Sequence, residues 1–188
     1  MSPPTLPLRT PRLVVRLAEE ADAPAVARYF TLNRAFLEPW EPRRIEAFYT
    51  TQFWREQLRE SQRDAAEERA LRLFLFDRRD EGRVLGTAHF SGIMRGALYG
   101  CYLGYSVAES AQGKGLMREA LAPAIAYLFE SLNLHRVMAN YQPHNRRSAR
   151  LLRALGFAVE GYARDYLFIN GEWTDHVLTS LLNPRWHP

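Results

Sequence analysis

The strongest constraint on the fold is a short run in which a strand, a glycine-bearing loop and a helix follow one another directly. The run begins at Tyr105, its β-branched and aromatic part ends at Val107, and a polar loop follows at residues 112–115. A strongly helical segment over residues 118–128 comes immediately afterwards. Glycine lets a backbone approach a ligand closely, and the free N–H groups of a helix's first turn attract anions. The run therefore predicts a cradle for a diphosphate.

The loop matches neither of two common phosphate-binding motifs. The dinucleotide motif G-x-G-x-x-G fails because Arg118 stands in the place of its third glycine. The P-loop motif G-x-x-x-x-G-K-[ST] fails because Ala108 stands at its first glycine. What remains is the pattern Gln-x-x-Gly-x-Met, formed by Gln112, Gly115 and Met117. Taken alone, this pattern is also compatible with an ordinary turn between a strand and a helix.

The pattern resembles the GNAT superfamily of acyl-CoA-dependent N-acetyltransferases, which carry Gln or Arg-x-x-Gly-x-Gly or Ala between a strand and a helix. Met117 departs from the usual small residue. The resemblance implies that acetyl-CoA is the cosubstrate and that the cradle holds it. The residues implied in binding the cofactor are Leu103, Tyr105, Val107, Gln112, Gly113, Lys114, Gly115, Met117, Arg118, Asn145 and Ser148.

Other segments extend the resemblance over roughly residues 9–187. Residues 33–42, 101–106 and 169–176 are similar to the ribosomal-protein-alanine N-acetyltransferases of the RimJ type. The family implies an α/β (α+β) fold. Its core is a mixed, mostly antiparallel central sheet of about seven strands, flanked by helices and splayed open to form an acyl-CoA-binding cleft.

The hydrophobic periodicity predicts an alternation of strands and helices that fits this fold. Predicted strands cover residues 12–17, 71–76, 83–90, 98–107 and 135–140, with a hairpin turn over residues 77–82. Predicted helices cover residues 20–32 and 44–68, the segment after the cradle, and a segment that ends at residues 155–157.

The apolar share of 47% favours a single domain over residues 1–188. Within it, we expect residues 1–8 to be flexible. Cys101 is the single cysteine, which excludes an internal disulfide. The longest apolar stretch, about nine residues at 121–129, is far short of the ~20 that a membrane span needs. The proline-rich start lacks the apolar region of a secretory signal. We therefore expect a cytoplasmic protein without a membrane partner.

The basic residues are almost all arginines, since Lys114 is the single lysine among 25 basic residues. A GC-rich genome accounts for such a bias, and a face that contacts the ribosome or RNA is the alternative, although a net charge of +4 is modest. One dense group lies near the expected cofactor site and suits the 3′-phosphoadenosine end of coenzyme A. Its members are Arg146, Arg147, Arg150 and Arg153.

The chemistry of acetyl transfer favours an N-terminal α-amine as the acceptor. Such an amine has a pKa of about 7.7–8.0, so roughly a tenth is neutral at pH 7 and a base needs to supply only about 1.4 kcal/mol. A lysine amine, with a pKa of about 10.4, needs ~4–5 kcal/mol. The acceptor implied by the resemblance is the N-terminal alanine or serine of a ribosomal or other protein.

Three carboxylates are candidates for handling the amine. Glu160 resembles a glutamate that acts as a base in related enzymes, directly or through water; a solvated carboxylate is the alternative. Glu109, just before the cradle, is a second candidate for the base. Trp40 and Glu41 are the expected substrate-binding residues, and Glu41 would attract a protonated N-terminus, although a packing or turn role is also open.

The leaving thiolate needs a proton donor, and many relatives place a tyrosine four residues before the glycine of a Gly-Phe pair. Here that position is Leu152, so Ser148 is the expected catalytic donor. Ser148 lies one helical turn after Asn145, so both side chains share a face, unless each only caps its own helix. The five histidines show no paired ligand spacing, so no metal is expected.

These features predict an acetyl-CoA-dependent N-acetyltransferase that works by direct attack of the amine on the thioester. One alternative keeps the chemistry but takes a small amine, such as a polyamine, an amino acid or an antibiotic. Another is a non-catalytic module that binds CoA or RNA during ribosome assembly. The sequence leaves a monomer and a homodimer equally open.

Overall fold

One eight-stranded sheet forms the centre of the computed structural model, which describes residues 3–188. The strands are β1 (Leu8–Arg9), β2 (Leu13–Leu17), β3 (Leu71–Asp77), β4 (Asp80–Met94), β5 (Gly100–Val107), β6 (Arg136–Tyr141), β7 (Ala158–Ile169) and β8 (Glu172–Leu182). Their spatial order is β1-β2-β3-β4-β5-β6-β8-β7. The pair β5–β6 is parallel, and each other neighbouring pair is antiparallel. The expected mixed, mostly antiparallel sheet is confirmed, with β1 as an additional short edge strand.

Five α-helices accompany the sheet within residues 3–188. They are α1 (Ala23–Leu32), α2 (Arg34–Leu37), α3 (Thr51–Ala66), α4 (Leu116–Glu130) and α5 (Arg146–Ala154). The long helix expected over residues 44–68 begins later, because Thr50 caps it by accepting a hydrogen bond from the backbone N–H of Phe53 at 3.2 Å. A short 3-10 turn, Glu46–Tyr49, precedes that cap.

Helices cover both faces of the sheet, so its central strands are buried on both sides. In β3 the consecutive residues Leu73, Phe74 and Leu75 are fully buried, although they point alternately to opposite faces. On one face Trp54 of α3 meets Phe74 edge-on, with 6.1 Å between ring centroids. Trp54 also stacks on Phe30 of α1 at 4.8 Å. This aromatic cluster fixes α1 and α3 against the sheet.

The sheet splits open between β5 and β6. These strands pair only from Gly100 to Tyr102 on one side and from Arg136 to Met138 on the other. Beyond Tyr102, β5 continues to Val107 with its other edge on β4, while β6 continues on β8. The two strands therefore diverge towards their carboxyl ends, and the unpaired edges bound a cleft. This is the splayed cleft that the sequence led us to expect.

The amino-terminal segment lies against the domain over the part that the structure describes. Leu8 is buried in β1, and Ser131 after α4 donates a hydrogen bond to the carbonyl of Pro4 at 2.6 Å. The flexible segment expected at residues 1–8 thus has defined contacts from Pro4 onwards, while residues 1–2 lie outside the described part. None of the helices found within residues 3–188 is both long enough and apolar enough to cross a membrane.

Candidate active site

The cleft between β5 and β6 opens into one cavity that passes through the sheet, with a volume of about 1200 Å³. Successive residues of β5 show its two sides. The hydroxyl of Tyr105 meets Ser148 of α5 on one face, and Ser106 meets Tyr29 of α1 on the other. The cavity is lined by Tyr105, Ser106 and Ser148 together. One site is therefore accessible from both faces of the sheet.

The α5 side of the cavity ends in the glycine loop. Gly113 and Gly115 have φ angles of 71° and 74°, a left-handed conformation that glycine adopts without strain. The first intrahelical bond of α4 runs from the N–H of Glu119 to the carbonyl of Gly115 at 3.0 Å. The N–H groups of the first turn before Glu119 are consequently free for a ligand at the positive end of the helix. This geometry suits the diphosphate of coenzyme A.

Charged side chains hold the loop in place from behind. Glu119 accepts hydrogen bonds from the hydroxyl of Thr10 at 2.6 Å and from the backbone and Nε of Arg12 at 2.9 and 2.7 Å. Burial works to raise the pKa of Glu119, but these hydrogen bonds outweigh it and lower the pKa below its usual value. Arg12 also donates to the carbonyl of Lys114 at 2.8 Å. The loop is thus tied to the β1–β2 edge before any ligand binds.

A second tie joins the loop to α5. Arg147 donates a hydrogen bond to the side-chain oxygen of Gln112 at 2.6 Å. The side chain of Lys114 turns back to the carbonyl of Ser110 at 2.8 Å, and Lys114 does not line the cavity. The remaining residues predicted to bind the cofactor all line the cavity; they are Leu103, Tyr105, Val107, Gln112, Gly113, Gly115, Met117, Arg118, Asn145 and Ser148.

Ser148 and Tyr105 both line the cavity and form a hydroxyl pair, with their oxygens 2.5 Å apart. Asn145 caps α5 by accepting a hydrogen bond from the backbone N–H of Ser148 at 3.0 Å. The hydroxyl of Ser148 remains free to bond Tyr105. Burial raises the pKa of the Tyr105 phenol to about 12, although its bond to Ser148 opposes the rise. Both groups therefore stay protonated and can donate at neutral pH.

The other side of the cavity is lined by the expected substrate-binding residues. The carboxylate of Glu41 pairs with Arg44, whose Nη2 and Nε lie 3.2 and 3.3 Å away. Burial raises the pKa of Glu41, while Arg44 opposes the rise. The ring of Trp40 packs on His144 at 5.3 Å, and the carbonyl of Glu41 accepts a hydrogen bond from Asn170 at 3.0 Å. The segment after α2 therefore contacts both the loop before α5 and the β7–β8 hairpin.

Glu160 is not brought together with the other predicted site residues. Its carboxylate accepts hydrogen bonds from Arg136 at 2.5 and 2.6 Å and from Ser180 at 2.6 Å. The bond from Ser180, followed by the charge of Arg136, lowers the pKa of Glu160. Arg136 begins β6 and does not line the cavity; the first residue of that strand that does is Met138, about 7 Å further along. Glu160 itself is exposed and does not line the cavity.

A family model matches the part of the chain that contains the cleft and the glycine loop. Residues 12–158 match the model of the acetyltransferase (GNAT) domain. The chain belongs to the GNAT acetyltransferase family. Membership confirms that the protein is an acetyltransferase with acetyl-CoA as its cosubstrate, and the open glycine loop fits the diphosphate of that cosubstrate.

Within the GNAT family the similarity extends over the whole chain. The chain is 49% identical over 185 residues to the ribosomal protein uS5-alanine N-acetyltransferase of Escherichia coli, covering 98% of this chain and 95% of that one. The structure of the ribosomal-protein-S5-alanine acetyltransferase of Vibrio fischeri is 40% identical with a TM-score of 0.94, covering 98% and 100%. RimJ of Mycobacterium smegmatis in complex with CoA-disulfide is 29% identical with a TM-score of 0.84, covering 94% and 88%.

Several polar residues of this GNAT cavity were missed by the sequence reasoning. Arg72, Thr87 and His89 lie on the face of the sheet that α1 and α3 cover, and Arg72 and His89 line the cavity side by side. The signal in the sequence was a polar residue within an otherwise apolar strand, which indicates a polar site on the buried face of the sheet. Pairing β3 with β4 in register was needed to bring them together. Across residues 3–188, no cluster of histidine, cysteine or carboxylate side chains has the geometry of a metal site.

Proposed function

We propose that this protein transfers an acetyl group from acetyl-CoA to the N-terminal α-amine of a protein beginning with alanine or serine, a ribosomal protein in particular. The observation that carries the proposal is the cavity through the sheet, which has a glycine cradle on one face and the Glu41 carboxylate on the other. The similarity over the full length to acetyltransferases for ribosomal-protein alanine supports this acceptor. We place the reaction in the cytoplasm, where ribosomal proteins are made.

Glu41 receives the amine in this proposal. The carboxylate attracts a protonated N-terminus, and partial burial strengthens that attraction because water screens it less. About nine tenths of an α-amine is protonated at pH 7, so removing its proton costs only about 1.4 kcal/mol. The raised pKa of Glu41 makes it a better proton acceptor than an ordinary surface carboxylate. A directly contacting base or one bridging water serves equally.

The hydroxyl pair serves the leaving group. As the amine nitrogen bonds to the carbonyl carbon and the carbon–sulfur bond breaks, the thiolate needs a hydrogen-bond donor or a proton. Ser148 donates a hydrogen bond to the departing thiolate sulfur, and the hydroxyl of Tyr105, 2.5 Å away, donates a hydrogen bond to Ser148, so that both hydroxyls keep their protons. A thiol has a pKa of about 8.5, so stabilisation by one hydroxyl is sufficient. Tyr105, which the sequence analysis assigned only to cofactor binding, thus also supports the leaving group.

The role of general base predicted for Glu160 stays a prediction that its position does not favour. Its carboxylate is already held by Arg136 and Ser180, and its lowered pKa makes it a weaker proton acceptor. It does not line the cavity, so it would act on an amine there through bridging water and not by direct contact. Glu41 meets the requirements of position and basicity that Glu160 lacks.

Release of free thiol from acetyl-CoA tests the proposal. The acceptors are peptides that begin with Ala or Ser, the same peptides with blocked N-termini, and small amines such as a polyamine and free amino acids. We expect turnover that requires a free peptide N-terminus and a mass increase of one acetyl group on that residue. Turnover confined to small amines would contradict a protein N-terminus as the acceptor. CoA binding without turnover of any acceptor would contradict the proposed reaction.

A further inference from the structure

A basic pocket occupies the acceptor side of the cavity and has no role in the reaction described above. Arg72 of β3 lies directly opposite His89 of β4, and both line the cavity with Gln57 of α3. His89 in turn lies opposite Gly104 of β5, where the absence of a side chain leaves open space above the strand. Arg72, His89 and the bare backbone of Gly104 therefore form one row across the cavity floor.

Arg72 is a partly buried cation without a partner in the part of the chain that is described. No carboxylate of residues 3–188 lies within 4.0 Å of its guanidinium, whereas 13 ion pairs engage other residues. Asp64 is near enough to affect it, but Asp64 is paired with Arg69 at 2.8 Å. Burial, with the neighbouring charge of Arg44, lowers the pKa of Arg72. An unpaired buried charge is costly, so the arrangement suits an arriving anion.

The anion that fits is not a phosphate of the cosubstrate. Gly104 and Ser106 point to the same face, because they are two residues apart on β5. That face meets α1 through Tyr29, whereas the glycine loop is tied to α5 on the opposite face through Arg147. The pocket of Arg72 is therefore on the side where the acceptor enters.

The spacing from the reacting centre matches a short length of extended peptide. Arg72 lies two strands away from Gly104, about 10 Å in the plane of the sheet. An extended chain covers about 10 Å with three residues. An acceptor whose α-amine lies near Glu41 and the open edge of β5 brings the side chain of its second, third or fourth residue within reach of Arg72.

We infer that Arg72 is the anchor of a specificity pocket for an acidic side chain close to the N-terminus of the acceptor protein, with Gln57 and His89 as flanking polar groups. The inference rests on the proposed function, since it assigns part of the acceptor's sequence to a second contact. A carboxylate there pairs with a guanidinium that otherwise stays unpaired. Arg44 adds charge at the rim while it holds Glu41.

The test uses neutral peptides that begin with alanine and carry one Glu at their second, third or fourth position, each beside a twin with Gln at that position. For the wild type we expect one position at which Glu lowers KM about tenfold relative to Gln, equivalent to about 1.4 kcal/mol. The ratio of KM for the Gln peptide to KM for the Glu peptide should fall as salt increases from about 0.05 M to about 0.5 M. In Arg72→Gln the ratio should drop close to one, while Arg72→Lys should keep part of it.

Arg83→Gln is the matched control, because Arg83 is an exposed arginine of β4 that lies outside the cavity. It should keep the wild-type ratio. Equal KM values for Glu and Gln peptides at every position, in an enzyme that acetylates them, would overturn the inference and leave the proposed function intact. A preference that survives in Arg72→Gln would overturn it as well. Failure to acetylate any peptide would remove the proposed function and this inference together.

Discussion

The hydroxyl oxygens of Tyr105 and Ser148 lie 2.5 Å apart, one on β5 and the other in the first turn of α5. The hydroxyl of Ser148 is free for this bond because the side chain of Asn145, and not that of Ser148, caps α5. The pair lines the same cavity as the glycine loop and Glu41. A hydrogen-bond donor for the leaving sulfur thus comes from two residues that are 43 positions apart in sequence.

Replacing Ser148 by alanine should reduce kcat by about tenfold to a hundredfold, which corresponds to about 1.4–2.7 kcal/mol of lost transition-state stabilisation. Tyr105→Phe should have a smaller effect, because it removes only the hydrogen bond to Ser148. KM for acetyl-CoA should change less than kcat in both variants, because the glycine loop that holds the diphosphate is untouched. Ser131→Ala, which removes only a hydroxyl bonded to the Pro4 carbonyl, is the control and should keep the wild-type kcat. An unchanged kcat in Ser148→Ala would exclude Ser148 as donor.

Two isosteric changes separate the candidates for the base. Glu41→Gln should lower kcat/KM for an Ala-first peptide by about tenfold or more, with the loss shrinking as pH rises and the α-amine loses its proton unaided. Glu160→Gln should leave kcat/KM within about twofold of the wild type, while it weakens the contact with Arg136. The measurement is kcat/KM between pH 6 and 9. The opposite ranking of the two variants would return the role to Glu160.

The glycine loop predicts a change in cofactor affinity that can be separated from stability. Gly113→Ala forces a side chain into the left-handed conformation, at a cost of about 1–2 kcal/mol, and adds a methyl group to the cradle. Gly96 has a nearly identical φ of 70° and equally open surroundings, but it lies outside the cavity. Both variants should lose similar stability in urea, and only Gly113→Ala should raise KM for acetyl-CoA. Parallel KM values would show that the loop does not hold the cosubstrate.

His89 predicts a defined loss of stability in acid. Burial, followed by the charge of Arg72, lowers the pKa of His89 to about 4, compared with about 6.5 in an unfolded chain. Between these pH values the unfolded chain binds more protons, so the free energy of unfolding falls as pH falls from 6.5 to 4, by at most about 3 kcal/mol. His89→Gln should flatten the curve of unfolding free energy in this window. His187→Gln, an exposed control, should follow the wild type; identical curves for all three would refute the assignment.

The cradle could be predicted from the sequence because its parts are contiguous. The strand end, both glycines and the first turn of α4 follow one another within residues 107–118, so local geometry alone defines the anion site. The start of α3 could not be placed as well. The helical composition of residues 44–68 continues through the 3-10 turn and the Thr50 cap, and only the capping geometry shows where the helix begins.

The sequence by itself determined the order of the main elements from β2 to α5, the glycine cradle and the family, because each of these is written in short local patterns. The tertiary structure decided which distant side chains meet. Strand register placed Arg72 beside His89, and the splay of β5 from β6 opened a cavity that reaches both Ser148 and Glu41. The same strand pairing placed Glu160 in an ion pair with Arg136, outside that cavity. Register and splay depend on pairing between strands far apart in the chain, which no local pattern specifies.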